Sequence, residues 1–311
     1  MSGMNKIKGA IYGVAVGDAM GAPWEGWRPK NIQEKFGTVK DLMSFDAAWS
    51  LGEFTDDTWL TLATAQAYNG PTFMPEKAGL AMVIWMRNIG KGIGRLTNFA
   101  LSNLSSGRCD IYNSGHKALA SVSRGDSNGS LMKCISTGLV NSQSEIDGIV
   151  KESAIISEIT HASPKCVASC IGYNIVVSGL MEDKDYLTTL RLAQDFVTPI
   201  DVETAGIFQD VANGKPMRFD PNIMKGTGYV LRALDRALIA GRDAISFEDE
   251  MIKVINEGGD TDTNSAIAGG ILGVKFGYDA IPQRWIKPLL NKDELDECIG
   301  VISRYRGICN H

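Results

Sequence analysis

Two short acidic segments, far apart in the chain, contain residue types that could bind a divalent cation. Segment 52–58 carries adjacent aspartates, Asp56 and Asp57, and segment 258–263 carries alternating aspartates, Asp260 and Asp262. Each segment precedes a helix-forming stretch, so its acids and threonines fall at capping and first-turn positions. A cap needs one oxygen per helix, whereas each segment offers two mutually repelling carboxylates. Oxygen ligands without adjacent His or Cys suit Mg²⁺ or Mn²⁺ better than Zn²⁺.

Spacing alone leaves two interpretations open: a pair of ordinary helix caps, or one metal site if the two segments meet in space. Segment 13–25, GVAVGDAMGAPWE, adds two acids among small residues that permit close backbone approach. We predict that Asp18 is a buried partner for helix ends. Glu25, on a loop, is predicted to be a mobile gate or a carboxylate that directs water, with a solvated loop acid as its alternative.

Helices must position these acids, because most segments repeat their apolar residues with a period near 3.6. Segment 228–241 shows this period up to its last residue, Gly241, which predicts that a helix ends there. No linker or fixed repeat divides the chain, so we predict a single-domain, all-α orthogonal bundle. The loop 216–228 is long enough to form a mobile lid or wall. The other predicted helices cover 6–20, 56–68, 75–89, 114–124, 143–158, 164–180, 184–196, 201–213, 247–257, 262–276 and 292–305.

Composition excludes several classes of protein. A net charge of −5 without a Lys/Arg run argues against nucleic-acid binding. No run of about 18 apolar residues is present, so we expect no membrane span. The six cysteines form no CxxC pair, which is typical of reduced thiols, and we expect a cytoplasmic monomer. These cysteines are Cys109, Cys134, Cys166, Cys170, Cys298 and Cys309.

Six motifs, in order, resemble those of the ADP-ribosylglycohydrolase family. The resemblance covers nearly the whole chain, and the DDT and GGDTDT blocks are its most specific parts. It implies one all-helical domain over 1–311, built around a dinuclear metal site. The motifs are GVAVGDAMGAPWE (13–25), FTDDTW (54–59), GDSNGSLMKC (125–134), ITHASPKC (159–166), GTGYVLRALDRAL (226–238) and GGDTDTNSAIAGGILGVKFGYDAIPQRW (258–285).

The same resemblance implies specific ligands for two Mg²⁺ or Mn²⁺ ions and for ADP-ribose. Backbone N–H groups of glycine-rich turns can hold pyrophosphate oxygens without a basic cleft. The place of His161 in ITHASP favours contact with the ligand over work as a general base. The implied metal ligands are Thr55, Asp56, Asp57, Asp260, Asp262 and Thr263, with Glu25 beside them. The implied pocket residues are Ser127, Asn128, Gly129, Ser130, Met132, His161 and 226–229, which includes Gly228 and Tyr229.

The activity implied is metal-dependent removal of ADP-ribose from a modified protein side chain, with ADP-ribosyl-arginine as the leading substrate. Asp262 would bind metal, and Asp57 or Glu25 would orient or deprotonate water at the anomeric carbon. Serine-linked or O-acetyl-ADP-ribose is the enzymatic alternative. A second alternative is a protein without catalysis, either crystallin-like or ADP-ribose-binding. A third is a two-metal phosphoesterase, although the chain lacks the His-rich pattern often found in that class.

Two departures from the family pattern stand out. Lys133 replaces the arginine that usually follows the methionine of the Asn-Gly turn, so a bidentate contact becomes a point-charge contact. Gly92 stands where the nitrogenase-linked member has an aspartate. Because of the second departure, the detailed mechanism of that member on arginine linkages does not transfer directly to this chain.

Overall fold

Sixteen α-helices form the part of the chain that a computed structural model describes, residues 1–45 and 48–308. Cys309 lies outside the described residues. Within them, extended pairing is limited to one isolated bridge between Ser127 and Tyr229, which confirms the all-α prediction. The helices are α1 Gly3–Gly21, α2 Pro29–Phe36, α3 Asp56–Ala65, α4 Pro75–Asn88, α5 Arg95–Ser105, α6 Ser114–Ala120, α7 Ser136–Val140, α8 Ile146–Glu158, α9 Pro164–Met181, α10 Tyr186–Val197, α11 Val202–Ala212, α12 Val230–Asp243, α13 Phe247–Asn256, α14 Thr261–Phe276, α15 Gln283–Ile286 and α16 Lys292–Arg306.

The predicted helices are all present, but two predicted ends are wrong. The helix predicted over 114–124 ends at Ala120. Helix α12 continues through Gly241 to Asp243. A Cβ atom at position 241 would lie 2.3 Å from the hydroxyl oxygen of Tyr186 and 2.7 Å from the side chain of Ile271. The glycine therefore serves close packing between helices and does not end α12.

Helices α1 and α14 lie at the centre of the molecule with their backbones in direct contact. A Cβ atom at Gly13 would lie 2.2 Å from the carbonyl oxygen of Gly269, and one at Gly21 would lie 2.6 Å from the Cα atom of Asp262. Only glycine fits such contacts. The stripe that makes them on α1 is Gly9, Gly13, Gly17 and Gly21, spaced four residues apart on one helix face. This packing brings the end of α1 to the start of α14.

Substituting Gly13 with Ala is expected to lower the free energy of unfolding by at least about 1–3 kcal/mol, because the new methyl group must push two backbones apart. Gly148→Ala is the matched control. Position 148 lies in helix α8, where a Cβ atom would have its nearest neighbour 3.9 Å away. That substitution should stabilise the protein by about 0.5 kcal/mol. Urea unfolding of both variants measures the difference, and equal stabilities would contradict the packing argument.

The predicted core residues are mostly enclosed by these helices. Trp85, Ile267 and Ile271 are buried, while Trp59 is half-buried. Both tryptophans border a groove whose lining includes no residue of the two acidic segments. The cysteines in the described ranges are free thiols. Every helix there is too short or too polar to cross a bilayer.

Candidate active site

The two acidic segments meet at one cavity. Helix α3 begins with Asp56 and Asp57, helix α14 begins just after Asp260, and the loop that follows α1 carries Glu25. One carboxylate oxygen each from Glu25, Asp260 and Asp262 lie within 4.8 Å of one another. All five acids line a cavity of about 320 Å³. Tertiary packing therefore converges carboxylates that are about 200 residues apart in sequence.

Capping of α3 is carried out by residues other than these aspartates. Asp18 is fully buried and accepts hydrogen bonds from the backbone nitrogens of Thr55 and Thr58, each at 3.0 Å, and from the Thr58 hydroxyl at 2.6 Å. Thr55 is the N-cap, since its hydroxyl accepts from the backbone nitrogen of Asp57 at 3.3 Å. This agrees with the buried, helix-end role predicted for Asp18. Because Asp18 and Thr55 already cap α3, capping does not explain the pair Asp56 and Asp57.

The start of α14 supports the same conclusion. Asp260 occupies the N-cap position, but among the described residues its side chain makes no capping hydrogen bond. Asp262 accepts at 2.9 Å from the backbone nitrogen of Thr263, its immediate neighbour, and is buried. These acids are therefore held at the cavity for a reason other than helix capping.

Burial and mutual repulsion make the carboxylate cluster hard to ionise. Burial, and next the charge of Asp18, raise the pKa of Asp56 to about 8. Burial followed by neighbouring carboxylates raises the pKa of both Asp57 and Asp262 well above the ordinary value. Within the described part of the chain, Oδ1 of Asp57 is buried without a hydrogen-bond partner. An orphaned carboxylate oxygen in an all-oxygen donor set fits a hard divalent cation.

Without divalent cations, the free energy of unfolding is expected to fall as the pH rises from about 5 to 8. The raised pKa values mean that the folded protein binds protons more tightly than the unfolded chain, so raising the pH disfavours the folded state. Asp18 and Asp56 set the window, since burial raises their pKa values to about 6 and about 8. Urea unfolding in EDTA across this range measures the slope. Stability that increases over the same range in EDTA would contradict the assignment.

Glu25 differs from the other acids in its access to solvent. Its side chain is exposed, yet its carboxylate turns toward the cluster, where partial burial and then the charge of Asp260 raise its pKa. The loop position is maintained by a hydrogen bond from the backbone nitrogen of Gly26 to the carbonyl oxygen of Gly259, at 2.7 Å. Glu25 thus reaches the cavity from its open side.

A second wall of the cavity is the turn 126–130, which is tied directly to the acids. The side-chain amide of Asn128 donates to Oδ2 of Asp260 at 2.9 Å. The backbone nitrogen of Asn128 donates to the carbonyl oxygen of Gly228 at 3.0 Å, beside the bridge between Ser127 and Tyr229. The turn and segment 226–230 therefore form one unit next to the acidic cluster.

The predicted site residues fall into three groups. Those that line the acidic cavity are Glu25, Asp56, Asp57, Asp260, Asp262, Thr263, Ser127, Asn128, Gly129, Met132 and His161. Gly228 and Tyr229 line a neighbouring cavity of about 750 Å³ that shares Ser127 and Arg124 with the first. The loop 216–228 forms much of its wall. Ser130 and Thr55 are buried and absent from both linings, Ser130 beneath the turn and Thr55 as the cap of α3.

His161 lies under the turn, where it is almost fully buried. Its Nε2 atom is 2.8 Å from the Ser127 hydroxyl oxygen, and its Nδ1 atom is 2.9 Å from the Thr160 hydroxyl oxygen. Burial, and then the positive charge of Lys133, lower the pKa of His161 well below its ordinary value. A neutral imidazole in this position suits hydrogen bonding better than proton transfer.

Several lining residues escaped sequence analysis. The amino-terminal end of α5 contributes Arg95 and Thr97, and Trp49 and Arg124 complete the rim. Gly92 also lines the cavity, and its φ angle is +87°. A Cβ atom added at this position would lie 2.8 Å from Oδ1 of Asp56. An aspartate would be strained there. The available clue was Gly92, which the sequence already marked as a departure from the family pattern three residues before Arg95.

Comparisons with known protein families and solved structures point to one family. The ADP-ribosylglycohydrolase family model matches residues 2–308. The chain is 27% identical over 316 residues to the ADP-ribosylarginine hydrolase Tri1 of Serratia proteamaculans, covering 94% of this chain and 77% of that one. It is 24% identical over 298 residues to the ADP-ribosyl-dinitrogen reductase glycohydrolase of Rhodospirillum rubrum, covering 93% and 92%.

A solved structure shares the fold. It is described as an ADP-ribosylglycohydrolase-related protein complex, and it superposes with a TM-score of 0.79 at 23% identity over 98% of this chain and 99% of that one. The match of the family model along almost the entire chain, together with this fold, determines the assignment. The chain belongs to the ADP-ribosylglycohydrolase family, whose activity is the removal of ADP-ribose from modified substrates.

Proposed function

We propose that this chain, acting as one domain, hydrolyses the bond between ADP-ribose and an arginine side chain of a modified protein. The observation that carries the proposal is the convergence of Glu25, Asp260 and Asp262 beside the turn 126–130. Such a site can hold a ribose next to carboxylates. The arginine linkage is favoured because two relatives are named for arginine and dinitrogen-reductase substrates.

Two Mg²⁺ or Mn²⁺ ions are proposed as cofactors. Bound there, divalent cations would supply positive charge that orients ribose hydroxyls and offsets the repulsion among the carboxylates. Among the described residues, the acidic cluster consists of carboxylates without a thiolate or an imidazole, which favours these hard ions over zinc. The proposed ligands are Thr55, Asp56, Asp57, Asp260, Asp262 and Thr263. For Thr55 this role would be combined with capping α3.

Cleavage of the glycosidic bond develops positive charge on the ribose and requires a base for the attacking water. Glu25 is our choice for that base. Its carboxylate is reached from solvent, and partial burial followed by the charge of Asp260 raises its pKa, which makes it a stronger base than an ordinary carboxylate. Asp57 is less suited, because it is buried and its Oδ2 atom accepts a hydrogen bond from the Thr55 hydroxyl at 3.1 Å. We assign Asp57 to the metal ligands.

The pocket beside the acids is proposed to hold ADP-ribose. Ser127, Asn128 and Gly129 would meet the ligand along the turn, with Met132 and His161 completing this side. Gly228 and Tyr229 would contact a part of the ligand that extends into the larger neighbouring cavity. The arrangement leaves the carboxylates at one end of the ligand, where the bond to the protein is cleaved.

The test is incubation of the purified chain with peptides that carry ADP-ribose on arginine or on serine, with Mg²⁺ or with EDTA, following free ADP-ribose by mass spectrometry. We expect release from the arginine peptide only, and only with the metal. Release from the serine peptide, or from O-acetyl-ADP-ribose, would replace the arginine linkage with that alternative. A folded protein that binds ADP-ribose and releases none from any substrate would support the non-catalytic alternative.

A further inference from the structure

Lys133 is a buried cation that faces away from the pocket. Its side chain has no exposed surface, and its Nζ atom donates to the carbonyl oxygen of Gly129 at 3.2 Å and to the hydroxyl oxygen of Thr160 at 2.8 Å. Burial lowers its pKa only to about 8, so the ammonium form prevails at neutral pH. An ammonium group is a donor and never an acceptor. It therefore determines how the Thr160 hydroxyl is used.

The Thr160 hydroxyl stands between that ammonium and an imidazole. Its oxygen accepts from Lys133 and its hydrogen is free to be donated. Among the residues that the structure describes, the acceptor recorded within hydrogen-bond distance is Nδ1 of His161, at 2.9 Å. An Nδ1 atom that accepts a hydrogen bond carries no proton, so the proton of neutral His161 lies on Nε2. Nε2 then donates to the Ser127 hydroxyl oxygen, 2.8 Å away.

This order of donors fixes what Ser127 offers to the cavity. With its oxygen already accepting from His161, the half-buried Ser127 hydroxyl keeps its own hydrogen for a ligand. In the opposite tautomer Ser127 would donate to Nε2 and present only lone pairs. Pyrophosphate oxygens are acceptors without hydrogens at neutral pH, so they would be bound in the first arrangement and repelled in the second.

We propose that Lys133 is a positioning residue which, through Thr160, holds His161 as the Nε2–H tautomer, so that Ser127 donates to an anionic oxygen of the ligand. The proposal rests on the proposed function for the identity of that ligand, an ADP-ribose pyrophosphate. The hydrogen-bond order itself is a property of the ligand-free chain. Four residues on three segments thus act in series, and Ser127 is the one that donates to the anionic oxygen of the ligand.

The tautomer can be measured directly by nitrogen NMR of ¹⁵N-histidine-labelled protein. The chain has three histidines, so a His116→Gln, His311→Gln background leaves His161 as the single signal. We expect its Nε2 atom to carry the proton. Thr160→Val and Lys133→Met should each produce a mixture of tautomers, and Thr160→Ser should restore the single form. Lys6→Met, which removes another buried ammonium that binds carbonyl oxygens of Leu180 and Met181, should leave the tautomer unchanged.

Binding of ADP-ribose by calorimetry tests the consequence. Ser127→Ala should weaken binding about tenfold, the range for one hydrogen bond to a charged group. Thr160→Val should weaken it about twofold, because the fraction of molecules in the Nε2–H form still donates from Ser127. In the double variant the losses should not multiply, because both substitutions act on the same bond. The conservative Thr160→Ser variant should bind as the parent does. Thermal unfolding of each variant identifies losses that come from instability.

Two outcomes would overturn the proposal: an Nδ1–H tautomer in the parent protein, or an Nε2–H tautomer that persists unchanged in both Lys133→Met and Thr160→Val. If Lys133→Met does not fold, the tautomers measured in Thr160→Val and Thr160→Ser test the proposal without it. A failure of the proposed function looks different. It would leave the tautomer and its response to substitution intact, while the parent protein bound no ADP-ribose.

Discussion

Asp262→Asn is expected to abolish hydrolysis while stabilising the metal-free protein. The substitution removes a carboxylate that we assign to the metal ligands, so the rate of ADP-ribose release should fall by at least about 100-fold. Without metal, the same carboxylate is buried near others, and burial followed by Asp260 raises its pKa well above the ordinary value. Asparagine retains the shape and removes the repulsion. Urea unfolding in EDTA near pH 8 should therefore give a higher free energy of unfolding than for the parent.

The control for this experiment is Asp279→Asn, which neutralises an exposed aspartate outside the site. It should change neither the rate nor the response of thermal stability to Mg²⁺. A metal-binding role also requires that Asp262→Asn lose the stabilisation by Mg²⁺ that the parent shows. Normal hydrolysis by Asp262→Asn would remove this residue from the catalytic account.

Glu25→Gln is expected to lower kcat by about 10²–10⁴, the usual contribution of a general base, while Mg²⁺ still binds. The reason is its position on the solvent side of the cluster, where it can take a proton from water without being the main support of the ions. Asp57→Asn should behave differently, with loss of Mg²⁺ binding as well as activity. Steady-state kinetics and titration calorimetry with Mg²⁺ separate the two variants.

Glu34→Gln is the matched control for Glu25, because Glu34 is an exposed glutamate on the neighbouring helix α2. Its kcat should equal that of the parent. Should Asp57→Asn retain Mg²⁺ binding and lose only kcat, the two roles would have to be exchanged. That result would make Asp57 the base and Glu25 a residue of the gate.

Helix periodicity predicted most of the fold, and the helices that it missed explain its limit. Helix α2 buries a single residue, Ile32, so its sequence has no apolar stripe. Helices α7 and α15 contain five and four residues, too short for a period of 3.6 to be recognised. Helix α5 places polar Arg95 and Thr97 at the cavity, which weakens the pattern at its first turn.

Part of the candidate site could be predicted from the sequence for a different reason. Repelling acids at helix starts mark a cluster that needs a compensating charge, so the aspartates could be identified from sequence. Their convergence could not, because it depends on the backbone contact between α1 and α14 that Gly13 and Gly21 permit. The resemblance to the family included Ser130 among the pocket residues, but its side chain is buried beneath the turn. Contacts between distant segments, such as Lys133 with Thr160, have no signal in a single sequence.

A crystal structure of this chain grown with Mn²⁺ and ADP-ribose, with anomalous scattering used to locate the manganese, would show directly whether the two acidic segments bind metal. We expect two anomalous peaks between the start of α3 and the start of α14, within bonding distance of Asp56, Asp57, Asp260 and Asp262, with ADP-ribose against the turn 126–130. A crystal that contains the ligand but has no manganese at these carboxylates would contradict the claim that the two acidic segments form a metal site.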